Sequence, residues 1–231
     1  MVRIKDNTFG KLSGKIDGRV YRIVNGKPFA SNRPEKYNAG KSKAAVSNRT
    51  KFAVATEFAA YINSIPVLKS IWKAARIKGS APYHRIIKYN TKHVTDNAPT
   101  VSNIITPTPG SNNTLNFPLK EFLFPDKGKN IKLLLSKISE HFTYDINYNL
   151  VLVFMFMEPV NKKEKYFLMS HLEEDIIIKE GMDEIIIKPD PSLAKFLTKY
   201  KKLILYSSFS TPVEGRPKFL WTDSRAMIYD I

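Results

Sequence analysis

Eight consecutive apolar residues, Leu150, Val151, Leu152, Val153, Phe154, Met155, Phe156 and Met157, constrain this chain more than any other stretch. A short run of this kind, rich in β-formers, reads as a strand, and a strand with no polar side has to be covered on both faces. The run is the longest of its type here and falls far short of the ~20 apolar residues of a membrane helix. The basic, polar first residues hold no apolar signal-peptide core. The expectation is a soluble, cytoplasmic protein, or one held within a virion-like particle, with no membrane partner.

Around that strand the second half reads as mainly antiparallel β-structure. Strands are expected at 166–170, 203–207, 219–221 and 226–229, with a short helix over 192–200 after Pro191. The stretch 131–142 fits a helix as well, because Ile131, Leu134, Leu135, Ile138 and Phe142 form a helical stripe; it is assigned as a strand. Glu174-Asp175-Ile176-Ile177-Ile178-Lys179 is nearly repeated by Asp183-Glu184-Ile185-Ile186-Ile187-Lys188 across a turn holding Gly181. That pair predicts an antiparallel hairpin.

The first half has a different rhythm. Residues 18–34 predict a β-hairpin, with Val20, Arg22 and Val24 alternating against Tyr21 and Ile23, and Asn25-Gly26 supplying the positive φ angles of a tight turn. A glycine-rich piece over 9–14 leads into the first strand of this small sheet. Val46, Phe52, Ala55, Ala59 and Ile62 then fall on one stripe of a helix of ~20 residues. A second helix, capped by Ser64 and with Pro66 in its first turn, carries Val67, Leu68, Ile71, Trp72 and Ala75 as far as Lys78-Gly79. A third over 82–94 carries Tyr83, Ile86, Ile87 and Asn90. Residues 96–116 shift to Pro, Thr, Ser and Asn around a short strand near 101–106, which marks a boundary. The expected fold class is α+β. A small N-terminal β-hairpin plus three helices forms a 1–95 module, a connector runs over 96–116, and a mainly antiparallel β-sandwich-like domain fills 117–231.

Charge follows the same division. Residues 1–92 hold 20 Lys and Arg against Asp6, Asp17, Glu35 and Glu57, while residues 93–231 hold 17 of each sign, so the whole net charge of +16 lies in the first part. Such asymmetry points to contact with an anionic partner.

Several motifs resemble an uncharacterised bacterial family found widely in the Bacteroidetes. They are Gly10-Lys11-Leu12-Ser13-Gly14-Lys15, Asn25-Gly26-Lys27 with Arg33-Pro34, and Ser47-Asn48-Arg49-Thr50-Lys51-Phe52 at the start of the long helix. Ser80-Ala81-Pro82-Tyr83 with Tyr89-Asn90, and Trp221-Thr222-Asp223-Ser224, complete the set. Family members usually carry an Asn-Pro-Arg-Thr sequence and a Gln-rich helix start, which this chain lacks. The resemblance implies a β-sandwich-like second half, and it implies no activity, ligand or catalytic residue.

Enzymatic signatures are weak throughout. Residues 10–16 imitate a phosphate-binding loop, but only three residues separate the glycines where four are needed, and Ile16 stands where a magnesium-binding Ser or Thr is needed. His84, His93, His141 and His171 show no metal-ligand spacing. Glu173, Glu174 and Asp175 read as charge protecting a strand edge, and Asp223-Ser224 has no base nearby in sequence. The absence of cysteine excludes disulfides, thiolate nucleophiles and zinc–cysteine sites. No catalytic residue, metal or cofactor is expected, and the chain is read as a non-enzyme.

The positive signal is the basic set. Lys11, Lys15, Arg19, Arg22 and Lys27 fall on the hairpin region, and Arg33, Lys36, Lys41, Lys43, Arg49 and Lys51 line the loop and helix start. Arg85, Lys88 and Lys92 share one face of the third helix. These fourteen residues are the candidate nucleic-acid-binding site, gripping phosphates without reading sequence, with Tyr21, Tyr37, Tyr83 and Tyr89 available to stack. The basic third helix also invites a helix-turn-helix reading. The expected partner is nucleic acid or another polyanion. The alternative is a structural subunit of a phage-like or cell-associated particle that uses the basic arm for self-association or for an acidic protein partner.

Overall fold

A computed structural model of the chain describes residues 2–3, 14–16, 18–24, 26–32, 40–75, 77–79, 81–123, 130–136, 146–213 and 218–231. These form two compact units, Met1–Lys43 and Ala44–Ile231.

The first unit is a four-stranded antiparallel sheet in the order β1-β4-β3-β2, with β1 at Val2–Arg3, β2 at Gly14–Ile16, β3 at Arg19–Val24 and β4 at Lys27–Asn32. The expected hairpin is β3–β4, with Val24 opposite Lys27 and Gly26 at φ 75°, the left-handed turn geometry that glycine adopts without strain. The expected strand after the glycine-rich piece is β2, whereas β1 is too short to have left a pattern in the sequence.

The second unit is layered on the apolar run. The run lies in β7 (Asn147–Pro159), which pairs on one side with β8 (Phe167–Ile177) and on the other with β10 (Tyr200–Val213). The far side of β10 pairs with β12 (Arg225–Asp230) along its first half and with β11 (Lys218–Trp221) along its second. Along β7 the side chains alternate between two cores. Val151, Val153, Met155 and Met157, with Ile204 and Tyr206 of β10, pack under the helices α1 (Lys43–Ser64), α2 (Pro66–Ala74) and α3 (Pro82–Asn90). Leu150, Leu152, Phe154 and Phe156, with Leu203, Leu205 and Phe209, face a second antiparallel sheet, β5 (Leu119–Leu123), β6 (Ile131–Leu135) and β9 (Glu184–Ile187). The short helix α4 (Pro191–Leu197) adds Leu193 to that core, and its cap is Asp190, which accepts from the Ser192 N–H at 2.6 Å. The fold is therefore mixed α+β with antiparallel sheets, and the two sheets sandwich one core. The strand assignment at 131–135 holds, while 137–145 lies outside the described residues.

Several expectations need correction. The helices belong with the sheet, because Phe58, Ala59, Ile62, Leu68, Ile71, Trp72 and Ile86 bury their side chains in its core. The chain accordingly divides at 43/44, not at 96–116. Residues 98–107 are no linker, since Ala98, Pro99, Asn103, Ile105, Thr106 and Pro107 are buried. No strand forms at 101–106, because side chains satisfy its backbone donors: Asn103 Oδ1 accepts from Thr100 N, Asn90 Oδ1 from Ile104 N and Ser224 Oγ from Ile105 N. The near repeat is not a hairpin. Its first copy lies in β8 and its second pairs with β6 in the other sheet, so the turn at Gly181 carries the chain from one layer to the next. On α1 the buried stripe is Val54, Ala55, Phe58, Ala59 and Ile62, leaving Val46 and Phe52 46% and 54% exposed. Ser64 donates to the Tyr61 carbonyl rather than capping α2, which begins after Ile65 and ends at Ala74. The third helix ends at Asn90 and tightens into a 3-10 turn, Thr91–His93.

Candidate polyanion-binding surface

Residues facing one another across an antiparallel pair share a face of the sheet. In the first unit Arg22 is opposite Phe29, Lys27 opposite Val24 and Val20 opposite Ser31. Position 15 pairs with Val20 and position 3 with Phe29. Register alone thus gathers the positions of Arg3, Lys15, Arg22 and Lys27 on one face with Phe29, while Arg19 falls on the other with Tyr21 and Ile23. The side chains of Arg19, Arg22 and Lys27 are exposed. Lys41 and Lys43 are exposed where the unit ends. Lys11, Arg33, Lys36 and Tyr37 lie outside the described residues.

In the second unit the basic residues ride on the helical layer. Residues 44–92 hold nine Lys and Arg against one acid, Glu57, and they cover a single face of the five-stranded sheet. The charge excess of this unit is therefore one-sided. The described positions differ in what they offer. Arg49, Lys88 and Lys92 are exposed. Lys51 is half engaged, its Nζ 4.0 Å from Asp96, whose Oδ1 also accepts from Ser47 Oγ at 2.6 Å.

Arg85 does something else. Its Nη1 donates to the carbonyls of Trp72 at 2.8 Å and Ala75 at 3.0 Å, and its Nε and Nη2 both donate to Gly79 at 3.2 Å. The last carbonyls of a helix have no partner within it. Arg85 supplies those partners for α2, so its guanidinium is committed to the fold and not to a ligand. Gly79 makes room for this, because a Cβ there would lie 2.7 Å from Arg85 Cγ.

Lys69 and Lys73, one turn apart on α2 and exposed opposite Leu68, Ile71 and Trp72, belong to the surface and were absent from the predicted set. Their signal was present as i, i+4 spacing off the apolar stripe. Of the tyrosines, Tyr83 packs against the helical core and Tyr89 lies edge-on to Trp72 with ring centres 5.9 Å apart.

Other candidates resolve into structure. Among the described residues no group of three or more His, Asp and Glu is placed to hold a metal ion. The Tyr61 hydroxyl is 3.0 Å from His171 Nδ1, and His171 Nε2 is 3.8 Å from Glu173. Burial pushes the Tyr61 phenol up to about 12, which leaves it a neutral partner. Residues 10–13 and His141 lie outside the described residues. Among the described residues no helix is long and apolar enough to cross a membrane. Comparison with family models, curated proteins and solved structures found no match to this chain.

Proposed function

We propose that this protein is a non-enzymatic polyanion-binding protein, with nucleic acid as its ligand, held through phosphate contacts that do not read sequence. The observation that carries this reading is the helical layer on one face of the sheet, where residues 44–92 hold nine Lys and Arg against one acid in sequence and Arg49, Lys69, Lys73, Lys78, Lys88 and Lys92 are exposed. Lys69, Lys73, Lys88 and Lys92 present ammonium groups there. By register the positions of Arg3, Lys15, Arg22 and Lys27 fall on one face of the N-terminal sheet, where the side chains of Arg22 and Lys27 are exposed. Cations at this density displace condensed counterions from a phosphate backbone, which gives affinity that falls steeply with salt. Mobile ammonium heads suit point-charge contact with phosphate rather than the bidentate reading of base edges.

Fluorescence anisotropy with a labelled duplex and a labelled single strand tests this. Binding should weaken by about tenfold or more between ~50 and ~200 mM salt, to a similar degree for unrelated sequences. No binding at the lower salt, or an affinity indifferent to salt, would falsify the reading.

A further inference from the structure

The opposite signature occurs at a separate place on the second unit. Among the described residues β8 pairs only with β7 and β9 only with β6, so each is the outer strand of its described sheet, and residues 178–183 link the two. Between these edges runs an open groove of about 620 Å³, lined by Glu174, Asp175, Ile177, Met182, Glu184 and Ile186 among others. Ile177 and Ile186 are each 50% exposed, so apolar surface stands in water beside unpaired strand edges. Exposed edges of this kind are templates for another strand. Six acids, Glu173, Glu174, Asp175, Glu180, Asp183 and Glu184, lie within twelve residues against Lys179, and of these Glu174, Asp175 and Glu184 line the groove, with Lys188 as its basic residue. Lys132 offsets Glu184 at 3.6 Å, and Asn149 donates to Asp175 at 3.4 Å. The remainder leaves an acidic, apolar, strand-edged surface.

The complementary surface is in the same sequence. Residues 1–43 hold eleven Lys and Arg against Asp6, Asp17 and Glu35, and their sheet ends in two short outer strands, β1 and β2. That sheet also has apolar side chains that are only partly covered, Ile23 and Phe29 among them. We propose that the groove between β8 and β9 receives the basic N-terminal sheet of a second copy of this chain. The contact joins different surfaces of two copies, so it either closes by reciprocal exchange or as a ring, or continues from copy to copy. This inference does not rest on nucleic-acid binding and stands or falls without it.

Light scattering on the full chain, without nucleic acid, tests it. Mass should rise with concentration above that of the monomer at ~50 mM salt and fall back towards the monomer at ~500 mM, where screening shortens the reach of the charges. The double variant Asp175→Lys with Asp183→Lys, both at exposed positions, should raise the apparent Kd for association at least tenfold. Arg22→Glu with Lys27→Glu should do the same from the other side. Mixing the two variants should restore association, which also shows that both remain folded. A monomer at every concentration, or association that survives both reversals, overturns the proposal.

Discussion

Arg85 satisfies the spacing of a basic helix face and yet directs its donors inward, to four carbonyls at and beyond the end of α2. Replacing it with Ala leaves part-buried carbonyls without partners, at about 1–3 kcal/mol for each group not reached by water. Arg85→Ala should therefore lower the urea unfolding midpoint markedly, and Arg85→Lys should recover little, since an ammonium cannot fork across several acceptors. Lys88→Ala, one turn on, should leave that midpoint within the noise of a surface change. Equal midpoints for Arg85→Ala and Lys88→Ala would contradict the capping role. Asn90 belongs to the same scale. It is wholly buried, donates to Ile86 and Ile104 and accepts from Ile104 and Asn103, so it fastens α3 to the segment that follows it. Its place on an apolar stripe marked it in the sequence, but nothing there named its partners.

Elements show where pattern and packing diverge. α2, α3 and the 3-10 turn after it present Lys69, Lys73, Lys88 and Lys92 because Leu68, Ile71, Trp72 and Ile86 are drawn to the sheet. If each of the four touches a phosphate, changing all four to Gln should reduce the slope of log affinity against log salt by about 3–4, at roughly 0.9 per contact. A slope unchanged in the quadruple variant would place the ligand elsewhere. β8 and β9 diverge in another way. Their near-identical sequences share a strand propensity, yet one pairs in each sheet, because β7 and β6 offered separate edges. Propensity selects the strand, and the available partner selects the sheet.

At the scale of the whole molecule, three buried aromatic side chains hold the segment 100–107 in place. Trp72 Nε1 donates to the Ile105 carbonyl, Trp221 Nε1 to Pro107 and the Tyr206 hydroxyl to Thr100, all within 2.7–2.8 Å. Burial raises the Tyr206 phenol far above its ordinary 10.0 and raises Tyr61 to about 12. The unfolded chain ionises these phenols near their ordinary value, so the stability tied to their neutral form is complete below about pH 10 and drains away above it. Unfolding midpoints should therefore be level from pH 7 to 9 and drop steeply from 10 to 11.5. Tyr206→Phe should start lower by about 1–3 kcal/mol, having lost its bond to Thr100, and then fall less steeply. A parallel fall in both proteins would show that another group governs the alkaline limit.

Local chemistry determined three features of the fold. Asn25-Gly26 set the hairpin turn, the run from Leu150 to Met157 set a strand covered on both faces, and the Lys and Arg placements set which part of the chain carries charge. Each of these depends on neighbours within a few residues, where backbone sterics and side-chain polarity act directly. Tertiary structure decided which layer each element joins, that the Pro- and Asn-rich segment is a buried strap, and that Arg85 leaves the charged surface while Lys69 and Lys73 belong to it. Those outcomes depend on carbonyls and apolar faces brought together from distant parts of the chain, and no local pattern encodes which of them will meet.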